Sequence, residues 1–360
     1  MQHRYPILFA VLFFLLAGSP SQAPAQGRQA AFQVVPLGVR GGLDESNLSA
    51  YMVAPEGSDA YICLDAGTLY AGIRKAVDSG VFRAPDGHAA VTISEVLKDY
   101  IKAYFISHAH LDHVAGLIIN SPDDSPKPVY GLASCLDVLK EKYFTWEAWA
   151  NFGDAGEKPT LNKYHYSPMD PGQEIAVDHT TLHVTGFPLS HGASVSAGRP
   201  VPGNVTSPRQ MSNEGPSAST PVAYYESTAF LVRNGEDYLL YLGDTGADSI
   251  EHSDKLHRLW QAISPLVKAG RLRAIFIEVS FPDEQPEKLL FGHLTPRLLM
   301  QEMKELGKLC GEAALQGLPI VVTHRKPSGN QEALIQKELD GNDPLHLSLV
   351  YPVQGRLLKF

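Results

Sequence analysis

Cysteine is scarce: Cys63, Cys135 and Cys310 are the three in 360 residues. So small and odd a number cannot staple a chain of this length, and its stability does not rest on a disulfide framework. Cys63 and Cys135 stand in apolar settings as small buried hydrophobes; one pairing stays open, at least one thiol stays free, and none has a ligand-like neighbour. Basic charge is also short. Lys and Arg number 30 against 39 Asp and Glu, a formal charge of -9 with histidine neutral, which disfavours a surface built to grip a nucleic-acid polymer. A small anionic substrate is still allowed, because bound divalent ions reverse the local field. No segment beyond the N-terminus is long and apolar enough to cross a membrane, and nothing in the composition points to wholesale disorder.

The N-terminus is different. Arg4 precedes an apolar run at 7–16, too short to span a bilayer, and Ser19-Pro20-Ser21-Gln22 follows it. Ala23-Pro24-Ala25 fits the small-residue pattern of a cleavage site. This predicts a signal peptide over 1–25, a mature chain over 26–360, a secreted or periplasmic location, and no stable membrane anchor after cleavage. An uncleaved anchor is the alternative. The absence of cysteine at the end of the apolar run argues against a lipoprotein.

Strand and helix patterns then interleave over the whole mature chain. Apolar or alternating runs at 32–37, 50–53, 61–64, 103–106, 182–187, 229–233 and 238–242 predict strands; 73–78, 93–102, 255–269 and 296–307 predict helices, with Pro265 set to kink or divide the third. Such alternation predicts a single layered α/β domain over 26–360. One stretch, 198–221, is dominated by Pro, Ser, Gly and Asn and predicts a long loop, either a surface insertion or a lid.

The densest chemistry lies in Ser107-His108-Ala109-His110-Leu111-Asp112-His113, four candidate metal ligands in six residues. Imidazole and carboxylate suit zinc and related divalent ions. A helix or a strand alone would not make all four converge, whereas a buried strand ending in a tight loop does, with a helix starting near Val114. Three later strands end on similar residues: 182–189 leads to Ser190-His191-Gly192, 238–242 leads to Gly243-Asp244-Thr245-Gly246, and 320–323 leads to His324. Together they complete two metal sites. His108, His110 and His191 serve the first, Asp112, His113 and His324 serve the second, and the two oxygens of Asp244 bridge them. His88, His165, His179, His183, His252, His257 and His346 lack that setting and read as surface or structural.

His108-Ala109-His110-Leu111-Asp112-His113 with His191, Asp244 and His324 resembles the metallo-β-lactamase superfamily. Further segments narrow the resemblance to class II cyclic-nucleotide phosphodiesterases: Asn47-Leu48-Ser49-Ala50-Tyr51, Leu64-Asp65-Ala66-Gly67-Thr68, Glu278-Val279-Ser280-Phe281 and Gly292-His293-Leu294-Thr295-Pro296. They extend over most of the mature chain. The resemblance implies a four-layer αββα sandwich with two divalent ions at one edge, zinc as first choice over manganese or iron. It also implies 3′,5′-cyclic AMP or cyclic GMP as small-molecule substrate. A hydroxide held between the ions would attack phosphorus, helped in orientation by Asp112, and the product would be a nucleoside 5′-monophosphate. His293, just before a helix start marked by Thr295 and Pro296, is the candidate acid for the leaving 3′ oxygen, and Glu278 the carboxylate that orients it.

Other readings share parts of this pattern. A ribonuclease of the same superfamily would need a basic surface for RNA, and the charge of -9 offers none. Lactonases, thioesterases and β-lactamases need no acid for a poor alkoxide, so His293 and Glu278 count against them. A non-catalytic binding protein of this fold would typically have lost ligands, and here every position is filled. The sequence carries no mark of oligomeric state.

Overall fold

Strands buried on both faces have no polar side to show, and the continuous apolar runs become such strands. In the computed structural model residues 29–82, 91–193 and 224–360 are described. Residues 1–25, where a signal peptide is expected, residues 198–221, where a loop is expected, and His88 lie outside the described residues. One mixed sheet holds β1 (Phe32–Gly38), β2 (Ala50–Pro55), β3 (Tyr61–Leu64), β4 (Ile101–Phe105), β5 (Lys127–Gly131) and β6 (Tyr164–Pro168) in that order. The second runs from β7 (Glu174–Ala176) through β8 (Leu182–Ala193), β9 (Tyr224–Asn234), β10 (Asp237–Leu242), β11 (Leu272–Glu278) and β12 (Pro319–Thr323) to β13 (Ser348–Val350). The chain then returns to the first sheet, where β14 (Leu358–Lys359) pairs antiparallel with β1.

Alternation along each strand sorts side chains into three apolar layers. Val34, Ala103 and Phe105 of the first sheet meet Phe230, Tyr241 and Phe276 of the second in the central layer. The intervening residues face outward: Val35 and Tyr104 toward α1 (Tyr70–Asp78), α2 (Ile93–Glu95), α3 (Leu111–Asn120) and α4 (Ala133–Val138). On the other side Leu240 and Ile277 face α5 (Asp248–Glu251), α6 (Lys255–Lys268), α7 (Pro296–Cys310) and α8 (Gln331–Gly341). The four layers are the expected αββα sandwich, and the described residues from 31 onward pack as one compact unit. Among the described residues no helix is long and apolar enough to cross a membrane, and all three cysteines are free and buried.

Four boundaries differ from the sequence expectations. The helix expected over 93–102 ends in a π-turn at Val96–Tyr100, and Ile101 and Lys102 open β4, because Ile101 is needed in the buried layer. The next helix begins at Leu111 rather than Val114, so Asp112 and His113 sit in its first turn. Pro265 does not divide α6: the carbonyl of Gln261, which loses its helical donor to the proline ring, accepts the Ser264 hydroxyl at 3.2 Å instead. The fourth concerns β8, which runs through His191 to Ala193 instead of stopping before it, with its pairing to β9 shifting register between Ser190 and Ala193.

Candidate metal centre

Parallel strands that all end at one edge form a rigid rim on which ligand geometry can be held. β3 and β4 are parallel, as are β10, β11 and β12. Their C-terminal ends carry Asp65, the loop from Ser107 to His113, Asp244, Glu278 and His324. His191 arrives from β8 at its register shift, which turns the ring into the rim. Asp65 and His324 hold left-handed backbones, φ 55° for both, without being glycine, a strain expected at functional sites.

The sequence-predicted ligands fall into two groups. Asp112, His113, Asp244 and His324 converge: His324 Nε2 lies 3.2 Å from both Asp112 Oδ2 and Asp244 Oδ2, and His113 Nε2 lies 3.3 Å from Asp244 Oδ2 and 3.2 Å from His324 Nε2. A tetrahedral ion with bonds of about 2.0–2.1 Å has ligand atoms roughly 3.3 Å apart, so these spacings suit one. His108 Nε2 and His191 Nε2 lie 3.0 and 3.2 Å from His110 Nδ1. Asp244 Oδ2 lies between the groups, 3.8 Å from His108 and 3.7 Å from His191.

The chemistry of the ring nitrogens makes the same case. His191 Nδ1 donates to the Gly292 carbonyl at 2.9 Å, and His113 Nδ1 donates to Asp65 Oδ2 at 2.8 Å, which leaves each Nε2 with a lone pair. Ser280 Oγ donates to Glu278 Oε2 at 2.6 Å and accepts from His324 Nδ1 at 2.9 Å, which does the same for His324. Burial pushes His108 well below its ordinary pKa and His191 down to about 3, so both rings are neutral, the form that binds metal. Converging lone pairs and ionised carboxylates need cations between them, and this donor set fits two divalent ions.

Sequence reasoning missed several supporting groups. Asp65 accepts from the Ser107 amide at 2.7 Å, its hydroxyl at 2.9 Å and the Tyr241 hydroxyl at 2.6 Å besides orienting His113. Its signal was present, a carboxylate closing the buried run 61–64. Ser280 had no such signal. Tyr225 stacks on the exposed face of His110 with ring centres 4.5 Å apart, and Gly42 donates its amide to Asp112 Oδ2 at 2.9 Å. His293 and Glu278 are brought together at this rim: Glu278 Oε1 accepts from His293 Nδ1 at 2.8 Å, and His293 Nδ1 lies 3.8 Å from Asp244. Of the histidines set aside, those described lie outside these ligand groups.

Gly41 supports the centre by having no side chain. A Cβ there would lie 2.2 Å from His324 Cε1 and 2.6 Å from its Nε2. Gly41→Ala must therefore displace the ring, and affinity for one metal equivalent should fall about 10–100-fold, the usual loss when a ligand's support is removed. Competition with a chromophoric chelator checks this; affinity unchanged from wild type would mean His324 is not a ligand.

Fold and donor set define a hydrolase of the metallo-β-lactamase fold, suited to divalent metal ions. More narrowly, the chain belongs to the class-II cAMP phosphodiesterases, whose family model it matches over residues 31–349. It is 38% identical over 359 residues to the 3′,5′-cyclic-nucleotide phosphodiesterase of Aliivibrio fischeri, covering 98% of each chain. It is 28% identical over 371 residues to the cAMP/cGMP-dependent 3′,5′-cAMP/cGMP phosphodiesterase A of Dictyostelium discoideum, covering 86% of this chain and 75% of that one. The unliganded structure of yeast PDE1 matches with a TM-score of 0.74 at 21% identity, over 92% of this chain and 100% of that one. The metallo-β-lactamase fold protein YhfI of Bacillus subtilis matches at 0.53 and 17%, over 91% and 99%. At those identities the structural likenesses establish the fold.

Proposed function

We propose that this centre hydrolyses 3′,5′-cyclic nucleotides to nucleoside 5′-monophosphates, with His293 giving a proton to the departing 3′ oxygen. The observation that carries the reading is the His293–Glu278 pair at 2.8 Å beside the ligand Asp244, an acid placed next to the groups that would hold the metals. Zinc or a similar ion bound here would lower the pKa of a coordinated water toward neutrality and neutralise the phosphoryl oxygens. His108, His110 and His191 would hold one ion, Asp112, His113 and His324 the other, and Asp244 both. Asp112, fixed by the Gly42 amide and partly exposed, would also help orient the attacking water.

As the P–O3′ bond breaks, water supplies the new oxygen on phosphorus and the 3′ oxygen takes a proton. Burial works against a charged His293, but Glu278 and Asp244 outweigh it and hold its pKa above the ordinary value, so the ring is protonated when needed. With Nδ1 committed to Glu278, Nε2 is the atom that carries the proton.

The test is to give metal-loaded protein cyclic AMP, cyclic GMP and bis(p-nitrophenyl) phosphate, and to separate the products by chromatography. The expected product from the cyclic nucleotides is the 5′-monophosphate. Hydrolysis of the nitrophenyl ester alone, or release of a 3′-monophosphate, overturns the reading.

A further inference from the structure

We propose that Lys326 binds the anionic phosphoryl group of the substrate; this rests on cyclic-nucleotide hydrolysis at the centre described above. Lys326 is half-buried on the loop leaving β12, two residues after His324. Its Nζ lies 5.5 Å from the centre of the Phe281 ring, and that ring lies 5.7 Å from the His293 imidazole. On its other side Nζ is 4.0 Å from where a Cβ on Gly42 would stand, and the Gly42 amide is the one bonded to Asp112. The ammonium thus neighbours Gly42, whose amide holds Asp112, and Phe281, which packs beside His293.

Of the neighbouring cations, Arg40 is committed to carboxylates and Arg325 stands over the Tyr351 ring, 5.3 Å from its centre. Arg40 pairs with Asp44 at 2.8 Å and Glu332 at 2.7 Å, and Arg325 lies 4.0 Å from Glu332. Among the described residues the Lys326 ammonium stands over the Phe281 face, which leaves its three N–H donors for another partner.

Charge balance says what that partner is. The centre holds four carboxylates, Asp65, Asp112, Asp244 and Glu278. Two divalent ions would cancel them, and the charge of a protonated His293 would be offset by the bound hydroxide, which leaves nothing over for a phosphodiester anion. A further cation at the mouth supplies the missing attraction, and an ammonium on a flexible stem can follow phosphoryl oxygens as they move during reaction.

Zinc-loaded wild type, Lys326→Met and Lys326→Arg are compared by turnover of cyclic AMP and by calorimetric affinity for 5′-AMP, inorganic phosphate and adenosine. Methionine keeps an apolar stem against Phe281 and removes only the charge. Loss of a hydrogen bond to a charged group predicts that Lys326→Met weakens 5′-AMP by about tenfold or more while adenosine stays within about twofold, with arginine restoring most of the loss. Unchanged 5′-AMP affinity overturns the proposal, and so does an equal loss for 5′-AMP and adenosine, which marks a packing role. If wild type turns over no cyclic nucleotide but the methionine variant still loses 5′-AMP and phosphate, the substrate reading fails and the Lys326 assignment stands.

Discussion

Asp244→Ala is expected to lower turnover by about 10³-fold or more and to strip bound metal from the protein. One carboxylate oxygen, Oδ2, lies 3.2 Å from His324, 3.3 Å from His113, 3.7 Å from His191 and 3.8 Å from both His108 and His293. Removing one partner from a buried charged set costs about 3–5 kcal/mol, roughly 10²–10⁴ in affinity, because the remaining groups stay buried without compensation. Elemental analysis of the purified variant should show that both metal equivalents are weakened, whereas His110→Ala should weaken one. Asp244→Asn keeps the shape and loses the charge, so a similar loss there assigns the effect to charge. Two tightly held equivalents in Asp244→Ala would mean that it is not the shared ligand.

The part of this centre that was legible in the sequence is the part fixed by local chain geometry. His108, His110, Asp112 and His113 are adjacent, so a strand followed by a helix start brings them together whatever the rest of the fold does. Asp244 and His324 were legible because each closes an apolar run, and such runs at buried strands are a strong signal. His191 was found by the same rule for a reason that turned out different. It is inside β8, and only the register shift against β9 aims it at the rim. A register shift belongs to a pair of strands, which no single run of residues shows. Asp65 met the strand-end rule and was still passed over, since a lone carboxylate after a strand gains meaning only when His113 is known to stand 2.8 Å away. Ser280, Tyr225 and Lys326 act across the fold, through Glu278 and His324, His110 and Phe281 respectively, and these contacts are not visible in the sequence even though Ser280 and Lys326 each stand two residues from a named site residue. At the level of elements, the helix pattern at 93–102 overran its end because Ile101 satisfies the helical and the strand period alike.

His293→Ala should lower kcat for cyclic AMP by about 10²–10⁴, the usual contribution of a positioned acid, with both metal equivalents retained. The structure offers His293 two possible jobs. A ring nitrogen of His293 lies close enough to His191 and Asp244 to count among candidate ligand atoms, and Nδ1 is 3.8 Å from Asp244. Yet Glu278 holds the same nitrogen at 2.8 Å, and Glu278 is itself fixed by the Thr245 amide at 3.1 Å and the Ser280 hydroxyl at 2.6 Å. The backbone leading to the ring is equally fixed: the Gly292 carbonyl accepts from His191, and a Cβ on Gly292 would lie 2.0 Å from the Gly192 amide nitrogen. A nitrogen so committed cannot also give its lone pair to a metal, which leaves acid catalysis through Nε2. The leaving group separates the two jobs. A ribose 3′ oxygen is a poor leaving group and needs the proton, whereas p-nitrophenolate departs without one, so the loss on bis(p-nitrophenyl) phosphate should be under about tenfold. The alkaline limb of the pH profile for cyclic AMP should vanish in the same variant, because activity that depends on a protonated ring is lost as pH rises through its pKa. Equal losses on both substrates, accompanied by a missing metal equivalent, would make His293 a ligand.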